Sequence, residues 1–164
     1  MMGAIRSLFR RPEPALLDAR ASDAAALARV HAIAFRHGWS ENEFERLLAD
    51  KNVLCHVARG GGGTGPVCAF TISRIVEDEA EILMVAVAPG EQGRGLARRL
   101  LGRHLGRLAA RGVRKVFLEV DEGNAPAIRL YSRAGFEQVG RRPGYYANPG
   151  RQAAALVLRR SLDE

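Results

Sequence analysis

The chain has 164 residues, a length that suits one domain with one sizeable core. Apolar residues make up 47% and charged residues 26% of it, proportions typical of soluble globular proteins, and no apolar run reaches the roughly 18 residues that a membrane span needs. The net charge of +7 is compatible with a nucleic acid, a polyanionic ligand or a ribosome-associated substrate, but the arginines are spread along the chain. We therefore favour solvated helix faces and expect no direct binding of nucleic acid.

The first segment, residues 1–12, is basic and contains no acidic residue. We expect it to form a flexible N-terminal extension, followed by one domain over residues 13–164. Its apolar stretch is too short for a secretory signal, and an organellar transit peptide is the alternative. The domain then begins with "PALLDAR", which predicts a first strand.

Two helices are predicted next. In "SDAAALARVHAIAFR", Ser22 or Asp23 is placed to cap the helix start, and apolar residues recur at helical spacing. The expected buried face of this helix consists of Leu27, Val30, Ile33 and Ala34. In the following segment, Ser40 and Glu43 form an S-x-x-E capping box for a helix that carries Phe44, Leu47 and Leu48 on one side.

Three strands follow in a row. "NVLCHVAR" and "PVCAFTISRI" flank the glycine-rich "GGGGTG", which predicts a hairpin tip, and "EAEILMVAVAP" predicts a fourth strand that ends at Pro89. Cys55 and Cys68 fall in the two neighbouring strands and lack metal-ligand spacing. We expect two reduced core cysteines in a cytoplasmic protein, and no metal site.

The last third alternates helices with strands. A glycine turn leads into a long helix whose buried stripe is Leu96, Leu100, Leu101, Leu105 and Leu108. Gly112 ends that helix, "KVFLEV" forms the fifth strand, and a short helix runs from its N-cap Asn124 to Gly135. "FEQVGRR" and "AAALVLRR" complete the order β-α-α-β-β-β-α-β-α-β-β. This order predicts an α/β protein with a mixed sheet.

A strand, a glycine turn and a helix in this order predict an anion site, because the helix start offers free N–H groups and a favourable dipole. The P-loop pattern is absent, since no Lys-Ser or Lys-Thr follows the glycines, and Arg98 stands where a Rossmann turn needs its third glycine. Gln92, Gly95 and Ala97 instead match the Q/R-x-x-G-x-G/A pattern of the GNAT acetyltransferases, which the chain resembles. An ordinary tight turn is the alternative.

A second GNAT-like signature lies downstream, in "VFLEVDEGNAPAIRLYSRAGF". The resemblance implies a central mixed, mostly antiparallel sheet of about seven strands, flanked by about four helices and splayed between strands 4 and 5. It also implies acetyl-CoA as cosubstrate, with pyrophosphate at the turn and the pantetheine arm beside the fourth strand. The cofactor-binding residues it implies are Val85, Ala86, Val87, Gln92, Gly93, Arg94, Gly95, Leu96, Ala97, Asn124 and Tyr131.

The same resemblance implies an acid–base pair for direct transfer of the acetyl group to an amine. Glu119 is the implied general base and Tyr131 the implied acid that protonates the leaving thiolate. A glutamate held in a structural salt bridge and a core tyrosine are the alternatives.

Three further segments, "AFRHGWSENEFERLL", "DEAEILMVAVAP" and "RRPGYY", are similar to the RimI-like ribosomal-protein alanine N-acetyltransferases. This similarity implies that the acceptor is the N-terminal alanine of a small-subunit ribosomal protein, bound in a cleft near Trp39, Tyr145 and Tyr146. Core packing is the alternative for these aromatic residues. Gln152 and Ala153 stand where the group often has an acidic pair. A GNAT enzyme acting on a small amine, an antibiotic or lysine, and a non-catalytic CoA-binding or ribosome-associated module, remain as alternative functions.

Overall fold

The computed structural model describes residues 11–35, 38–145 and 153–163. Seven strands are present in this part of the chain: β1 Ala15–Asp18, β2 Val53–Arg59, β3 Val67–Val76, β4 Glu79–Val87, β5 Lys115–Asp121, β6 Glu137–Arg142 and β7 Ala155–Ser161. The α-helices here are α1 Ala24–Ala34, α2 Glu41–Ala49, α3 Leu96–Ala110 and α4 Ala125–Arg133. The predicted element order is therefore confirmed.

The strands form one sheet with the order β1-β2-β3-β4-β5-β7-β6. Every neighbouring pair is antiparallel except β4 and β5, which run parallel. The predicted mixed, mostly antiparallel sheet is thus confirmed. The last strand, β7, inserts between β5 and β6, so the two halves of the sheet meet at the parallel pair.

The parallel pair is short. Its register joins Glu79–Glu81 to Lys115–Phe117, while the remainder of β4, up to Val87, pairs with β3 and the remainder of β5 pairs with β7. The two strands therefore diverge beyond Glu81, and the sheet opens there as the resemblance implied. This opening lies next to the turn that begins α3.

The helices cover both faces of the sheet. Phe70 and Ile72 of β3 pack with Leu27 and Phe44 from α1 and α2. On the opposite face, α3 lies with its leucine stripe against the sheet, and the five predicted leucines are all buried. Cys55 and Cys68 are free and buried, as expected.

The predicted N-caps of α1 and α2 have different outcomes. At α2, the Ser40 N–H donates to Glu43 Oε2 over 2.6 Å and the Glu43 N–H donates to Ser40 Oγ over 3.3 Å, which confirms the capping box. At α1, the side chain of Asp23 does not cap the helix. It is buried, accepts from the Arg20 N–H over 2.7 Å and pairs with Arg59, because a buried carboxylate needs a cation and donors around it.

The predicted buried face of α1 is half wrong. Leu27 and Val30 are buried, but Ile33 is 62% exposed and Ala34 is exposed as well. His31 occupies the inner face instead, at the i+4 position from Leu27. The helix ends at Ala34, and its last turn borders an open cleft rather than the core.

Candidate active site

The turn before α3 has the backbone of an anion site. Gly93 and Gly95 both have φ of +75°, a left-handed conformation that residues with a Cβ adopt only with strain. Gly95 is the N-cap of α3, and no side chain caps the helix there. A Cβ added at either glycine would meet no protein atom within 4 Å. The helix start therefore leaves its first N–H groups and the space beside them to a ligand.

Two polar contacts hold the turn in place. Gln92 Nε2 donates to the carbonyl oxygen of Val87 over 3.1 Å, which ties the turn to the end of β4. Glu91 is buried and pairs with Arg94 at 3.1 Å and with Arg11 at 3.2 Å. The predicted cofactor residue Arg94 thus directs its guanidinium to Glu91.

A cleft of about 480 Å³ extends from this turn along β4 to α4. Its lining includes most of the predicted cofactor residues: Val85, Val87, Gln92, Gly93, Gly95, Leu96, Ala97, Asn124 and Tyr131. Ala86 is buried in the core with Phe70 and is not among the residues that line the cleft. Asn124 also caps α4, because its Oδ1 accepts from the Ala127 N–H over 3.2 Å.

A second cleft, of about 500 Å³, lies on the side of α1 and α2. Glu119 and Trp39 line it, together with Phe35 and Asp121. Four residues line both clefts, namely Val85, Asn124, Ala127 and Tyr131. The two clefts therefore adjoin at the opening between β4 and β5, and Tyr131 stands where they meet.

Glu119 lies on β5 with its side chain 25% exposed. Its Oε1 accepts from Nη1 of Arg142 over 2.6 Å. The guanidinium of Arg142 also lies over the ring of Tyr145, 5.3 Å from the centroid. Tyr145 is 56% exposed and is not among the residues that line the second cleft, so the predicted place of Tyr145 in the wall of that cleft is not seen. Tyr146 and Gln152 lie outside the described residues.

His31 is a site residue that the sequence did not reveal. It is buried, lines the second cleft, and accepts from the Trp39 N–H at Nδ1 over 2.7 Å. Its ring packs against Phe35, Trp39 and Phe44, with centroids 4.7, 5.5 and 5.7 Å away. Burial lowers the pKa of His31, although the charge of Glu43 acts in the opposite direction. Its spacing of four residues from Leu27 is the one feature of the sequence that could have indicated a buried position.

Among residues 11–35, 38–145 and 153–163, no group of three or more His, Cys, Asp or Glu side chains could hold a metal ion. In the same ranges, none of the helices has the length and apolar character needed to cross a membrane.

The chain is similar in sequence to acetyltransferases of known family. The model of the "Acetyltransferase (GNAT) family" matches residues 24–136. A protein of Escherichia coli (strain K12) named "[Ribosomal protein bS18]-alanine N-acetyltransferase" is 31% identical over 137 residues, which are 84% of this chain and 90% of that protein.

Solved structures agree with this match. The crystal structure of the ribosomal-protein-S18-alanine N-acetyltransferase from Escherichia coli superposes with a TM-score of 0.83 at 29% identity, over 92% of this chain and 95% of that one. Arabidopsis thaliana NAA60 in complex with acetyl-CoA superposes with a TM-score of 0.78 at 21% identity, over 92% of this chain and 99% of that one. The second likeness concerns the fold.

Proposed function

Because the chain belongs to the acetyltransferase (GNAT) family and is an acetyl-CoA-dependent N-acetyltransferase, we propose that it acetylates the N-terminal α-amine of a ribosomal protein. The observation that carries this proposal is the match to a bS18-alanine N-acetyltransferase along nearly that protein's whole length. An N-terminal alanine is the acceptor that this relative's name supports.

Acetyl-CoA fits the first cleft by the chemistry of its walls. The pyrophosphate would accept from the N–H groups that open α3, beside the two left-handed glycines. The pantetheine arm would lie along Val85–Val87, where β4 has separated from β5. The thioester would then reach the junction of the two clefts, near Tyr131.

The acceptor would enter from the second cleft, on the side of Trp39 and Glu119. An N-terminal amine has a pKa near 7.7 to 8.0, against about 10.4 for lysine, so deprotonating it at neutral pH costs roughly 3 kcal/mol less. A lone carboxylate as base suits the easier of these two tasks. This argument supports an α-amine over a lysine side chain.

The reaction needs one base, one acid and one hydrogen-bond donor. Glu119 takes a proton from the acceptor's ammonium group, directly or through a water. The free amine attacks the thioester carbonyl carbon, and a backbone N–H at Val87 or a neighbouring residue stabilises the oxyanion. The C–N bond forms and the nitrogen releases its second proton to water, while the C–S bond breaks and Tyr131 protonates the departing thiolate.

The test uses peptides as acceptors and follows thiol release from acetyl-CoA. A peptide that begins Ala-Arg should gain an acetyl group on its α-amine, as mass spectrometry would show. The same peptide with a blocked N-terminus and a free lysine should react far more slowly. Equal rates for the two peptides, with lysine as the acetylated residue, would overturn the N-terminal assignment. If neither peptide reacts but an aminoglycoside or a polyamine does, the enzyme acts on a small amine instead.

The role of Glu119 is tested by the substitution Glu119→Gln. Turnover should fall by roughly 10²- to 10⁴-fold, the usual contribution of a positioned base. The KM for acetyl-CoA should stay close to that of the unmodified enzyme, because Glu119 is not among the residues lining the cofactor cleft. Near-native turnover would show that the base lies elsewhere.

A further inference from the structure

The ion pair between Glu119 and Arg142 links the proposed base to a strand that lies two positions away in the sheet. Glu119 faces Val157 of β7, and Val157 in turn faces Gly140 of β6. Gly140 has no side chain to offer, and the cation comes from Arg142, two residues further along β6. The long arginine side chain thus spans the width of β7 to reach the Glu119 carboxylate.

Only one oxygen of the carboxylate takes part in this hydrogen bond. Arg142 Nη1 donates to Oε1 over 2.6 Å, a short and charge-assisted contact. The guanidinium is itself held over the Tyr145 ring, 5.3 Å from the centroid. Arg142 therefore has a contact on each side, one with an aromatic face and one with the carboxylate.

A partly exposed glutamate has several rotatable bonds, and a base acts on an amine only from a narrow range of positions. A charge-assisted hydrogen bond to one oxygen restricts the positions that the carboxylate can take. Resting on the assignment of Glu119 as base, we propose that Arg142 is a positioning residue: it binds Oε1 and so leaves Oε2 for the acceptor's amine or its bridging water. Arg142 itself does not touch the reacting atoms.

The neighbouring Arg141 provides a matched control. It lies on the same strand and is about as exposed, but it pairs with Glu122, which lines neither the cofactor cleft nor the acceptor cleft. Arg141→Met removes the same charge and the same side-chain atoms from the same strand. A general effect of lowering the charge near the site would appear in both variants, whereas positioning of Glu119 is lost only with Arg142.

The experiment is a double-substitution cycle on the full chain with acetyl-CoA and the peptide that begins Ala-Arg. Arg142→Met should lower kcat roughly fivefold, as expected for an ion pair of this exposure, and leave the KM for acetyl-CoA within about twofold. Arg142→Lys should recover part of the loss, and Arg141→Met should behave as the unmodified enzyme. In a Glu119→Gln background, Arg142→Met should have no further effect, because no base remains for Arg142 to position.

The outcomes separate this inference from the proposed function. If Glu119→Gln lowers turnover and Arg142→Met does not, the positioning role is wrong and the base assignment stands. If Arg142→Met lowers turnover equally with and without Glu119, Arg142 acts independently and the inference is also overturned. If Glu119→Gln keeps near-native turnover, the base assignment itself fails. Thermal melting of each variant shows whether a loss of turnover reflects unfolding. If Arg142→Met is unfolded, the turnover of Arg142→Lys decides whether Arg142 positions Glu119.

Discussion

The Nδ1 atoms of His56 and His104 lie 2.7 Å apart, and neither ring is exposed to solvent. His104 Nε2 lies 2.6 Å from the hydroxyl oxygen of Ser73, and His56 Nε2 lies 3.2 Å from Asp18 Oδ1. A contact between two Nδ1 atoms requires one ring to donate and the other to accept. The hydrogen bond therefore exists only while one of the two facing nitrogens carries a proton and the other does not.

This pair predicts a loss of stability in mild acid. Burial lowers the pKa of His56 to about 4 and that of His104 to about 3, while the unfolded chain has histidine pKa values near 6.5. The nearby charges of Arg103 and Arg107 lower the pKa of His56 further, and Asp18 raises it. Below pH 6.5 the unfolded chain therefore binds more protons than the folded protein does. The contribution of the pair to the free energy of unfolding is fully present above pH 6.5 and is lost as the pH falls toward 3.

Urea unfolding at pH 7.5, 6.0 and 5.0 measures that loss, and NMR titration of the imidazole resonances assigns it. His56 and His104 should show no protonation shift above about pH 5, consistent with their lowered pKa values. Titration of either ring near pH 6.5 in the folded protein would contradict the buried neutral pair.

A second pH effect is expected in the second cleft, where the acceptor is proposed to bind. His31 Nδ1 accepts from the Trp39 N–H, which requires Nδ1 to be unprotonated. Burial lowers the pKa of His31, so the bond should persist at neutral pH and fail below the ordinary histidine range. Glu43 on α2 opposes this shift, and Glu119 and Asp121 are the carboxylates across the cleft. The KM for the acceptor should then rise in acid, while the KM for acetyl-CoA should not follow it.

Two substitutions test this reading of His31. Asn offers an acceptor oxygen close to the position of Nδ1, and it does not titrate. His31→Asn should therefore keep the acceptor KM near its neutral value and flatten its dependence on pH, whereas His31→Ala should raise the acceptor KM at all pH values. An unchanged pH dependence in His31→Asn would assign the effect to another group.

The glycine turn can be tested against a second glycine of the same helix. Gly95→Ala places a Cβ at φ of +75°, which costs roughly 1–2 kcal/mol, and directs a methyl group into the space beside the helix start. We expect a lower melting temperature and a KM for acetyl-CoA raised roughly tenfold, since each tenfold step is about 1.4 kcal/mol.

The control is Gly106→Ala, within α3, where an added Cβ also meets no atom within 4 Å. A helix interior favours Ala over Gly by about 0.5–1 kcal/mol, so this variant should melt at a higher temperature with an unchanged KM. If Gly95→Ala melted lower but bound acetyl-CoA normally, the turn would serve the fold and not the ligand.

Tyr131 is the proposed acid, and the substitution Tyr131→Phe removes only its hydroxyl group. The ring contact with Phe136, with centroids 5.8 Å apart, should survive, so the fold should be preserved. We expect kcat to fall by roughly 10²-fold, the lower end for acid catalysis, because a thiolate is already a fair leaving group. Steady-state kinetics with acetyl-CoA checks this, and an unchanged kcat would return Tyr131 to a core role.

Local signals in the sequence were sufficient for much of the architecture. The capping box at Ser40 depends on two residues three positions apart, and the glycine turn depends on backbone freedom at single positions. Such features are encoded within a few residues, and so is the leucine stripe of α3. The sequence pattern therefore predicted the elements and their order, and most of the residues that the resemblance implied for the cofactor line one cleft.

Contacts between distant segments could not be predicted in the same way. Ser22 or Asp23 was expected to cap α1, but the side chain of Asp23 pairs with Arg59 on β2, 36 positions away in sequence. The partner of Glu119 is 23 residues away, and its identity depends on β7 inserting between β5 and β6. His31 was passed over because a histidine on an apolar helix face gives no sign of the ring cluster it joins.

The short pairing between β4 and β5 also affects how stability is distributed in the molecule. Three residue pairs join a four-stranded half of the sheet to a three-stranded half, so the strand edges beyond Glu81 lack the protection that a continuous ladder gives. A ligand arm bound in the gap would contact both halves of the sheet and stabilise the folded state. At a concentration of 100 times its dissociation constant, such a ligand adds about 2.7 kcal/mol to the free energy of unfolding. The melting temperature of the enzyme should therefore rise with the concentration of acetyl-CoA.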